Sequence, residues 1–155
     1  MLKFIKKTIY RIVVAFLAST ILSVVALRFI PVWVTPLMFI RCYEQVMEGR
    51  ELRLSHHWVP LNEISKHMPR AVIGSEDARF LDHHGFDFKA IERAAEQNKK
   101  HPEKPKHGAS TISQQTAKNV FLWPGRSWVR KGFEAYFTIQ ASFSLPRRKM
   151  FTASV

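Results

Sequence analysis

Two glutamates, Glu76 and Glu134, have the side-chain type that a group-transfer site needs. Glu76 shares a predicted helical stripe with Val72 and Phe80, at the i, i+4 and i+8 positions. A glutamate in such a stripe is either desolvated and suited to act as a general base, or lies at the edge of the stripe and reaches water. The edge position is the more common outcome for a glutamate.

The segment 108–122 carries several further polar side chains. Thr111 and Gln114 have the spacing of a capping box, which predicts a helix that follows Thr111. Gln114, Gln115 and Lys118 then bring amide groups and a cation to polar positions of this helix. A helix N-terminus beside a lysine suits a phosphate-bearing ligand, and a solvated helix face without a function is the alternative.

The second glutamate belongs to a helix that Ser127 can cap. Arg130 and Glu134 are four positions apart on it, and Arg126 lies just before its start. The alternative to a functional Glu134 is a surface ion pair with Arg130, which would contribute only about 0.3 kcal/mol.

The turn around Gly85 contains two adjacent histidines, His83 and His84. With Asp82 they match no closed metal-binding spacing, so we predict no metal site from these side chains. Asp87 is placed to cap a helix over 88–97. The segment 98–107 is rich in lysine, histidine and proline, which is typical of a mobile loop.

The N-terminal region predicts a transmembrane helix over 9–30, preceded by a basic cytoplasmic segment over 1–8. Arg28 can reach the lipid headgroups from within this span. The excess of cations before the span orients the N-terminus toward the cytoplasm and places the remainder outside. A cleaved signal peptide is the competing interpretation, which the length of the span and the lack of a clear cleavage site disfavour.

The next region, 31–55, is predicted to be a juxtamembrane amphipathic segment that lies against the bilayer. Pro31 and Pro36 are expected to interrupt regular helix there. Asn62 is expected to cap a short helix that ends at Lys66, and Pro69 fits the first turn of the following helix.

Composition limits the class of partner. The 24 lysines and arginines exceed the 12 acidic residues, which gives a net charge of +12 and favours an anionic partner such as phospholipid or phosphate. Nucleic-acid binding is the weakest of these alternatives, because no aromatic and basic recognition module accompanies the cations. Cys42 is the single cysteine, which excludes an intramolecular disulfide. A chain of 155 residues holds one modest domain besides the membrane segment.

Three ordered motifs resemble those of the peptidoglycan glycosyltransferase family, whose enzymes polymerise glycan strands from lipid II. Residues 76–87 are similar to the motif Glu-Asp-x-x-Phe-x-x-His-x-Gly-x-Asp, and residues 108–119 to Gly-x-Ser-Thr-Ile-x-Gln-Gln-x-x-Lys-Asn. Arg126 with the segment 130–134 is similar to the third motif. The short chain resembles the monofunctional members, which lack a transpeptidase domain.

The resemblance implies catalytic roles for both glutamates. Glu76 would take the proton from the acceptor sugar hydroxyl, and Glu134 would assist the leaving group or a divalent metal, Mg or Mn, bound to it. Lys118 and Arg126 would hold the donor pyrophosphate. The remaining residues that the resemblance places along the cleft are Ser110, Gln114 and Gln115.

The resemblance also implies a fold and a location. The expected fold is mainly α, with a transmembrane helix followed by an incomplete lysozyme-like glycosyltransferase domain. The chain would be a single-pass protein of the bacterial inner membrane with its catalytic part in the periplasm. Its expected partners are lipid II, the growing glycan strand, membrane phospholipid and other cell-wall synthesis proteins.

The resemblance covers about Trp58 to Thr138, and we assign the partial domain to 56–138 and an atypical basic tail without clear helical periodicity to 139–155. The family continues with a further helical lobe, and its absence from this sequence indicates a truncated product. Two alternatives to the transferase stay open: a membrane-tethered fragment that binds lipid pyrophosphate without turnover, and a glycoside hydrolase that uses Glu76 and Glu134 as paired carboxylates.

Overall fold

The computed structural model describes residues 1–153, and within them the chain is helical and contains no strand. The predicted mainly α class is therefore confirmed. The helices, in chain order, are α1 (Leu2–Leu27), α2 (Pro36–Met47), α3 (His67–Glu76), α4 (Phe88–Lys100), α5 (Ile112–Phe121), α6 (Trp128–Ser144) and α7 (Arg147–Ala153).

Helix α1 is long and apolar enough to cross a membrane, a property that it shares with signal sequences. It begins at Leu2, ahead of the predicted start at residue 9, because the basic N-terminal residues continue the same helix. The second half of α1 packs against α6. Thr20 Oγ1 and Tyr136 Oη lie 2.7 Å apart, Phe16 stacks on the Tyr136 ring, and Val24 is completely buried in the core.

Helix α2 begins where a break in helix was predicted. Thr35 is its N-cap and accepts a hydrogen bond from Met38 N–H, so Pro36 occupies the first helical position, where its missing N–H costs nothing. The prediction that Pro36 interrupts regular helix is wrong, whereas Pro31 does lie in the break between α1 and α2.

Helix α3 contains Pro69 in its first turn, as predicted, but it ends at Glu76. Phe80 therefore lies beyond the helix, and the predicted stripe of Val72, Glu76 and Phe80 on one helix is wrong. The short helix expected before Lys66 is also wrong, because that segment forms a turn.

Helix α4 begins as the sequence predicts. Asp87 Oδ1 accepts the Ala90 N–H at 3.0 Å, which caps the helix. The helix runs to Lys100, three residues beyond the predicted end and into the segment expected to be a loop. Asn98 Nδ2 also donates to the His107 carbonyl at 3.0 Å. This hydrogen bond joins the end of the loop to α4.

Helix α5 lies at the centre of the folded part and packs against α2, α6 and α7. The predicted capping box is confirmed: Thr111 Oγ1 accepts the Gln114 N–H, and Gln114 Oε1 accepts the Thr111 N–H. Ile112, Thr116 and Ala117 are buried, so one side of the helix belongs to the core, whereas Lys118 is exposed and the alternative of a solvated polar face stays open.

Helix α6 is capped by Ser127 as predicted, and it continues to Ser144. Helix α7 follows it and packs against α5, where Ser113 Oγ lies 3.4 Å from the sulfur of the buried Met150. Arg147 donates hydrogen bonds to the carbonyls of Phe80 and His83. The predicted loss of helical structure after Thr138 is therefore wrong up to residue 153, and residues 154 and 155 lie outside the described part.

Candidate active site

The end of α3 and the start of α5 are joined by buried hydrogen bonds. Asp77 Oδ2 accepts the Ile112 N–H at 3.1 Å, and its Oδ1 lies 2.9 Å from His83 Nε2. Thr111 Oγ1 donates to the Gly85 carbonyl at 2.5 Å. We name these five residues the α3–α5 clasp. It fixes the last residue of α3 relative to the first turn of α5.

Gly85 is required in the clasp for two reasons. Its φ is +94°, a backbone conformation that residues with a side chain rarely adopt. A Cβ at this position would also lie 2.6 Å from Ser142 Oγ and 3.0 Å from Thr138 Cγ2, both on α6. The turn therefore packs directly on α6, and a larger residue would push them apart.

Glu76 stands immediately before the clasp and is exposed. Its Oε2 accepts a hydrogen bond from Gln115 Nε2 at 2.8 Å. Of the two alternatives for Glu76, the structure shows the one in which the carboxylate reaches water. Gln115 lies on α5, so the clasp and this hydrogen bond together position the carboxylate.

The other polar residues of the second motif differ in their surroundings. Gln114 is only 5% exposed, and its Oε1 is occupied by the capping box. Ser110 is exposed in the loop that leads into α5. The role of Ser110 and Gln114 as cleft residues stays a prediction. The capping box shows in addition that Gln114 stabilises the start of α5.

Lys118 opens onto a cleft of about 450 Å³ that it shares with Arg126 and Arg130. Lys118 and Gln115 are one helical turn apart on α5, about 4.5 Å along the helix axis. Lys118 therefore places the cleft about one helical turn along α5 from Gln115, the hydrogen-bond partner of Glu76. The residues that line it are Leu37, Arg41, Lys118, Asn119, Leu122, Trp123, Pro124, Gly125, Arg126 and Arg130.

Glu134 is buried, in contrast to Glu76. Arg130 Nη1 lies 2.9 Å from its Oε2, and Lys131 pairs with its Oε1. The Arg130 and Glu134 side chains are only 12% and 4% exposed, so the alternative of a surface ion pair is wrong. Removing one partner of such a buried pair typically costs about 3–5 kcal/mol, because the other charge is left unpaired.

Comparison with known proteins gives a family that agrees with this geometry. The family model described as Transglycosylase matches residues 44–153. The chain belongs to the transglycosylase family. The match begins before Trp58 and ends beyond Thr138, so residues of α7 fall inside the region that the family model covers.

Three relatives of this chain carry the name biosynthetic peptidoglycan transglycosylase. The protein of Bacteroides thetaiotaomicron is 59% identical over 127 residues, which are 82% of this chain and 50% of the relative. That of Bdellovibrio bacteriovorus is 49% identical over 94% of this chain and 58% of the relative. That of Caulobacter vibrioides is 53% identical over 79% and 50%. The chain thus spans about half the length of the curated relatives it matches.

Among the residues that the structure describes, one group of side chains has types that suit a metal ion, namely Asp77, His83 and Asp87, with candidate ligand atoms within 4.8 Å of one another. These atoms are already paired. The Asp77 oxygens accept from His83 and the Ile112 N–H, and the Arg79 guanidinium lies 2.9 Å from Asp87 Oδ1. A divalent ion would have to displace a cation and break the clasp, so this arrangement does not fit one.

Glu134, the expected contact of a divalent metal, does not fit a metal either. Both of its oxygens pair with cationic side chains. A divalent ion at this carboxylate would lie against those two positive charges. We therefore assign no step of the reaction to a metal.

Sequence reasoning missed some residues that the structure brings to the site. Arg41 of α2 lines the cationic cleft, although it lies outside the three motifs. No spacing rule relates α2 to α5, so this neighbour follows only from tertiary packing. Asp77 and His83 lie inside the first motif, but their local pattern does not indicate that they bind each other and the start of α5.

Proposed function

We propose that the chain is the membrane-proximal part of a peptidoglycan glycosyltransferase that polymerises glycan strands from lipid II. The observation that carries this proposal is the arrangement along α5. Gln115 holds the exposed carboxylate of Glu76, and one turn later Lys118 enters a cleft that also contains Arg126. A base next to a cationic cleft suits transfer of a sugar from a pyrophosphate donor.

Glu76 is the proposed general base. The hydroxyl oxygen of the acceptor sugar forms a bond to the anomeric carbon of the donor, and Glu76 accepts the hydroxyl proton. The hydrogen bond from Gln115 leaves the second carboxylate oxygen available and limits the rotation of the side chain. Exposure of Glu76 gives the acceptor access to it.

Lys118 and Arg126 are the proposed contacts of the departing lipid pyrophosphate. The bond between the anomeric carbon and the pyrophosphate oxygen breaks, and negative charge develops on the leaving group. Cations already placed at that position stabilise the charge as it forms. Both side chains are exposed in the cleft, so a ligand can reach them.

For Glu134 we propose a positioning role in place of direct assistance to the leaving group. Its carboxylate is buried between Arg130 and Lys131. It fixes the Arg130 side chain at the wall of the cleft while Lys118 and Arg126 remain exposed. The pair thus shapes the cationic end of the site.

The location in the membrane is part of the proposal. A retained anchor agrees with the burial of Val24 and the contact of Thr20 with Tyr136, because cleavage after α1 would remove both from the folded part. We propose that the N-terminus is cytoplasmic and that the site faces the periplasm, where lipid II and the growing strand are met. Membrane phospholipid and other cell-wall synthesis proteins are the further proposed partners.

Polymerisation of lipid II by the full chain in detergent tests the proposal. Glu76→Gln is expected to reduce the initial rate at least about 100-fold, because a general base typically contributes 10²–10⁴-fold. Glu96→Gln, at another exposed glutamate on a helix, serves as the control and is expected to leave the rate unchanged.

Equal rates for Glu76→Gln and the unchanged chain would remove Glu76 as the base. Pyrophosphate binding without any polymerisation would favour the alternative of a membrane-tethered binding fragment. Release of reducing ends from finished glycan would favour the hydrolase.

A further inference from the structure

Helix α2 has two chemically different faces. Phe39, Tyr43, Val46 and Met47 form an apolar stripe that is between 61% and 69% exposed. Leu37 and Arg41 lie on the opposite side, about half a turn away. The second face meets α5 and the cleft, so α2 is not merely a linker between the anchor and the domain.

The apolar stripe of α2 lies close in sequence to the end of the membrane-spanning helix. Only residues 28–35 separate α1 from α2, and they include the exposed Phe29 and Trp33. Aromatic residues of this kind are enriched at the level of the lipid headgroups. A helix with such a stripe lies in the plane of the membrane interface, which brings its opposite face to the height of lipid phosphates.

Arg41 is the cation on that opposite face. It lines the same cleft as Lys118 and Arg126, and no carboxylate is among the described residues that line this cleft. Its one ion pair joins Nη1 to Glu44 Oε2 at 2.7 Å, and the two side chains are 62% and 36% exposed. Exposed pairs of this kind contribute little, so a ligand can compete for the guanidinium.

The neighbouring cation, Arg130, is less available. Its Nη1 is held by Glu134 at 2.9 Å, and its side chain is only 12% exposed. The cations that a ligand in the cleft can reach are therefore Arg41, Lys118 and Arg126. An arginine presents a planar fork of N–H groups that can contact two phosphate oxygens together, whereas a lysine acts as a point charge.

We infer that Arg41 is a further binding residue for the lipid pyrophosphate, delivered to the cleft by the interfacial helix α2. This inference rests on the proposed function, because it takes the donor's pyrophosphate as the ligand of the cleft. It adds a residue outside the three motifs to the binding site. It also gives α2 a direct part in capturing a donor that arrives in the membrane.

Equilibrium binding of farnesyl pyrophosphate to the full chain in detergent micelles tests this inference. Arg41→Gln is expected to weaken binding about tenfold, the loss typical of one charge-assisted contact. Arg50→Gln is the matched control, because Arg50 is also 62% exposed and also pairs with an exposed glutamate, Glu48, but lies outside the cleft lining. The control is expected to bind within about twofold of the unchanged chain.

A second variant distinguishes a phosphate contact from a change of fold. Arg41→Lys keeps the positive charge but loses the planar set of N–H donors. Its affinity for farnesyl pyrophosphate is therefore expected to lie between those of Arg41→Gln and the unchanged chain. Circular dichroism of all variants is expected to show the same helix content. If Arg41→Gln loses helix content, Arg41→Lys alone decides the outcome, and affinity equal to the unchanged chain would then overturn the inference.

Lys118→Gln separates failure of the inference from failure of the proposed function. If Lys118→Gln weakens binding and Arg41→Gln does not, or if Arg50→Gln weakens it equally, the role of Arg41 is overturned and the proposed pyrophosphate site stands. If neither Lys118→Gln nor Arg41→Gln weakens binding, or the unchanged chain does not bind the probe, the proposed site itself is overturned.

Discussion

The α3–α5 clasp and the cationic cleft are both polar, both contain motif residues and both touch α5, yet they differ in burial. In the clasp, Asp77 and Thr111 are buried and bonded to protein groups. In the cleft, Lys118 and Arg126 are exposed to solvent. The same short motif of α5 thus supplies a structural joint at its start and the proposed ligand surface one to two turns later.

This difference separates two reasons for placing a polar residue at a fixed spacing. Buried polar groups must find partners within the protein, because an unpaired one costs about 1–3 kcal/mol. Exposed cations have no such need and remain available for a ligand. Substitutions in the clasp should therefore reduce stability, whereas substitutions in the cleft should reduce binding and leave stability unchanged.

The largest expected effect is on the clasp carboxylate. Asp77→Ala removes the acceptor for the Ile112 N–H and for His83 Nε2, and should lower the free energy of unfolding by about 3 kcal/mol. Denaturant unfolding in detergent measures it. Asp82→Ala, at a carboxylate that is 63% exposed, is the control and should change stability by less than about 0.5 kcal/mol. Equal losses in both variants would contradict the clasp.

Gly85→Ala should cost about 2 kcal/mol, because alanine adds both a strained φ and a contact with Ser142 Oγ. Adding Ser142→Ala should recover part of the loss by removing the contacted oxygen. Gly74→Ala, on α3 with open space around its Cβ position, should be neutral or slightly stabilising. Thermal unfolding of the three variants measures the effect, and a stable Gly85→Ala chain would show that the turn can move away from α6.

Lys118→Gln should separate binding from stability. Affinity for farnesyl pyrophosphate is expected to fall about tenfold, which corresponds to about 1.4 kcal/mol. The free energy of unfolding should change by less than about 0.5 kcal/mol, since Lys118 is exposed. A large loss of stability in this variant would mean that the cleft is a structural joint like the clasp.

The smallest effect is a shift in acid sensitivity beside the clasp. Burial raises the pKa of Asp87, but the Ala90 N–H bond and the Arg79 charge outweigh it and hold the pKa below its ordinary value of 3.8. The stabilisation is therefore present above about pH 4 and is lost as the pH falls through the lower folded pKa. Asp87→Asn should flatten the dependence of unfolding on pH below that value. The measurement is the unfolding midpoint of Asp87→Asn and of the unchanged chain as a function of pH. The same pH dependence in both chains below about pH 4 would contradict this assignment.

The sequence predicted helix starts well, because capping signals are local. Thr111, Asp87 and Ser127 each cap the helix that their position indicated. It predicted the helix around Glu76 less well. The periodic pattern continues past residue 76, but Asp77 bonds to the start of α5, and this tertiary contact ends the helix there.

The candidate site, like the fold, could be predicted from the sequence only in part. Lys118 and Arg126 could be predicted to share a cleft from the family resemblance, and the structure brings them together. The burial of Glu134 could not be predicted, because the same spacing fits a surface pair. The helical structure after Thr138 was also missed, since α7 is short and the buried residues Leu145, which precedes it, and Met150, which lies within it, show no helical stripe.

The contact between α1 and α6 has a mechanical consequence. Because Phe16, Thr20 and Val24 pack against the folded part, α1 is held in a defined orientation relative to that part. In the membrane-anchored protein that we propose, the cleft would keep a fixed distance from α1 while the molecule diffuses in the plane of the membrane. A lipid-linked donor that moves in the same plane would meet the cleft without a search in the third dimension.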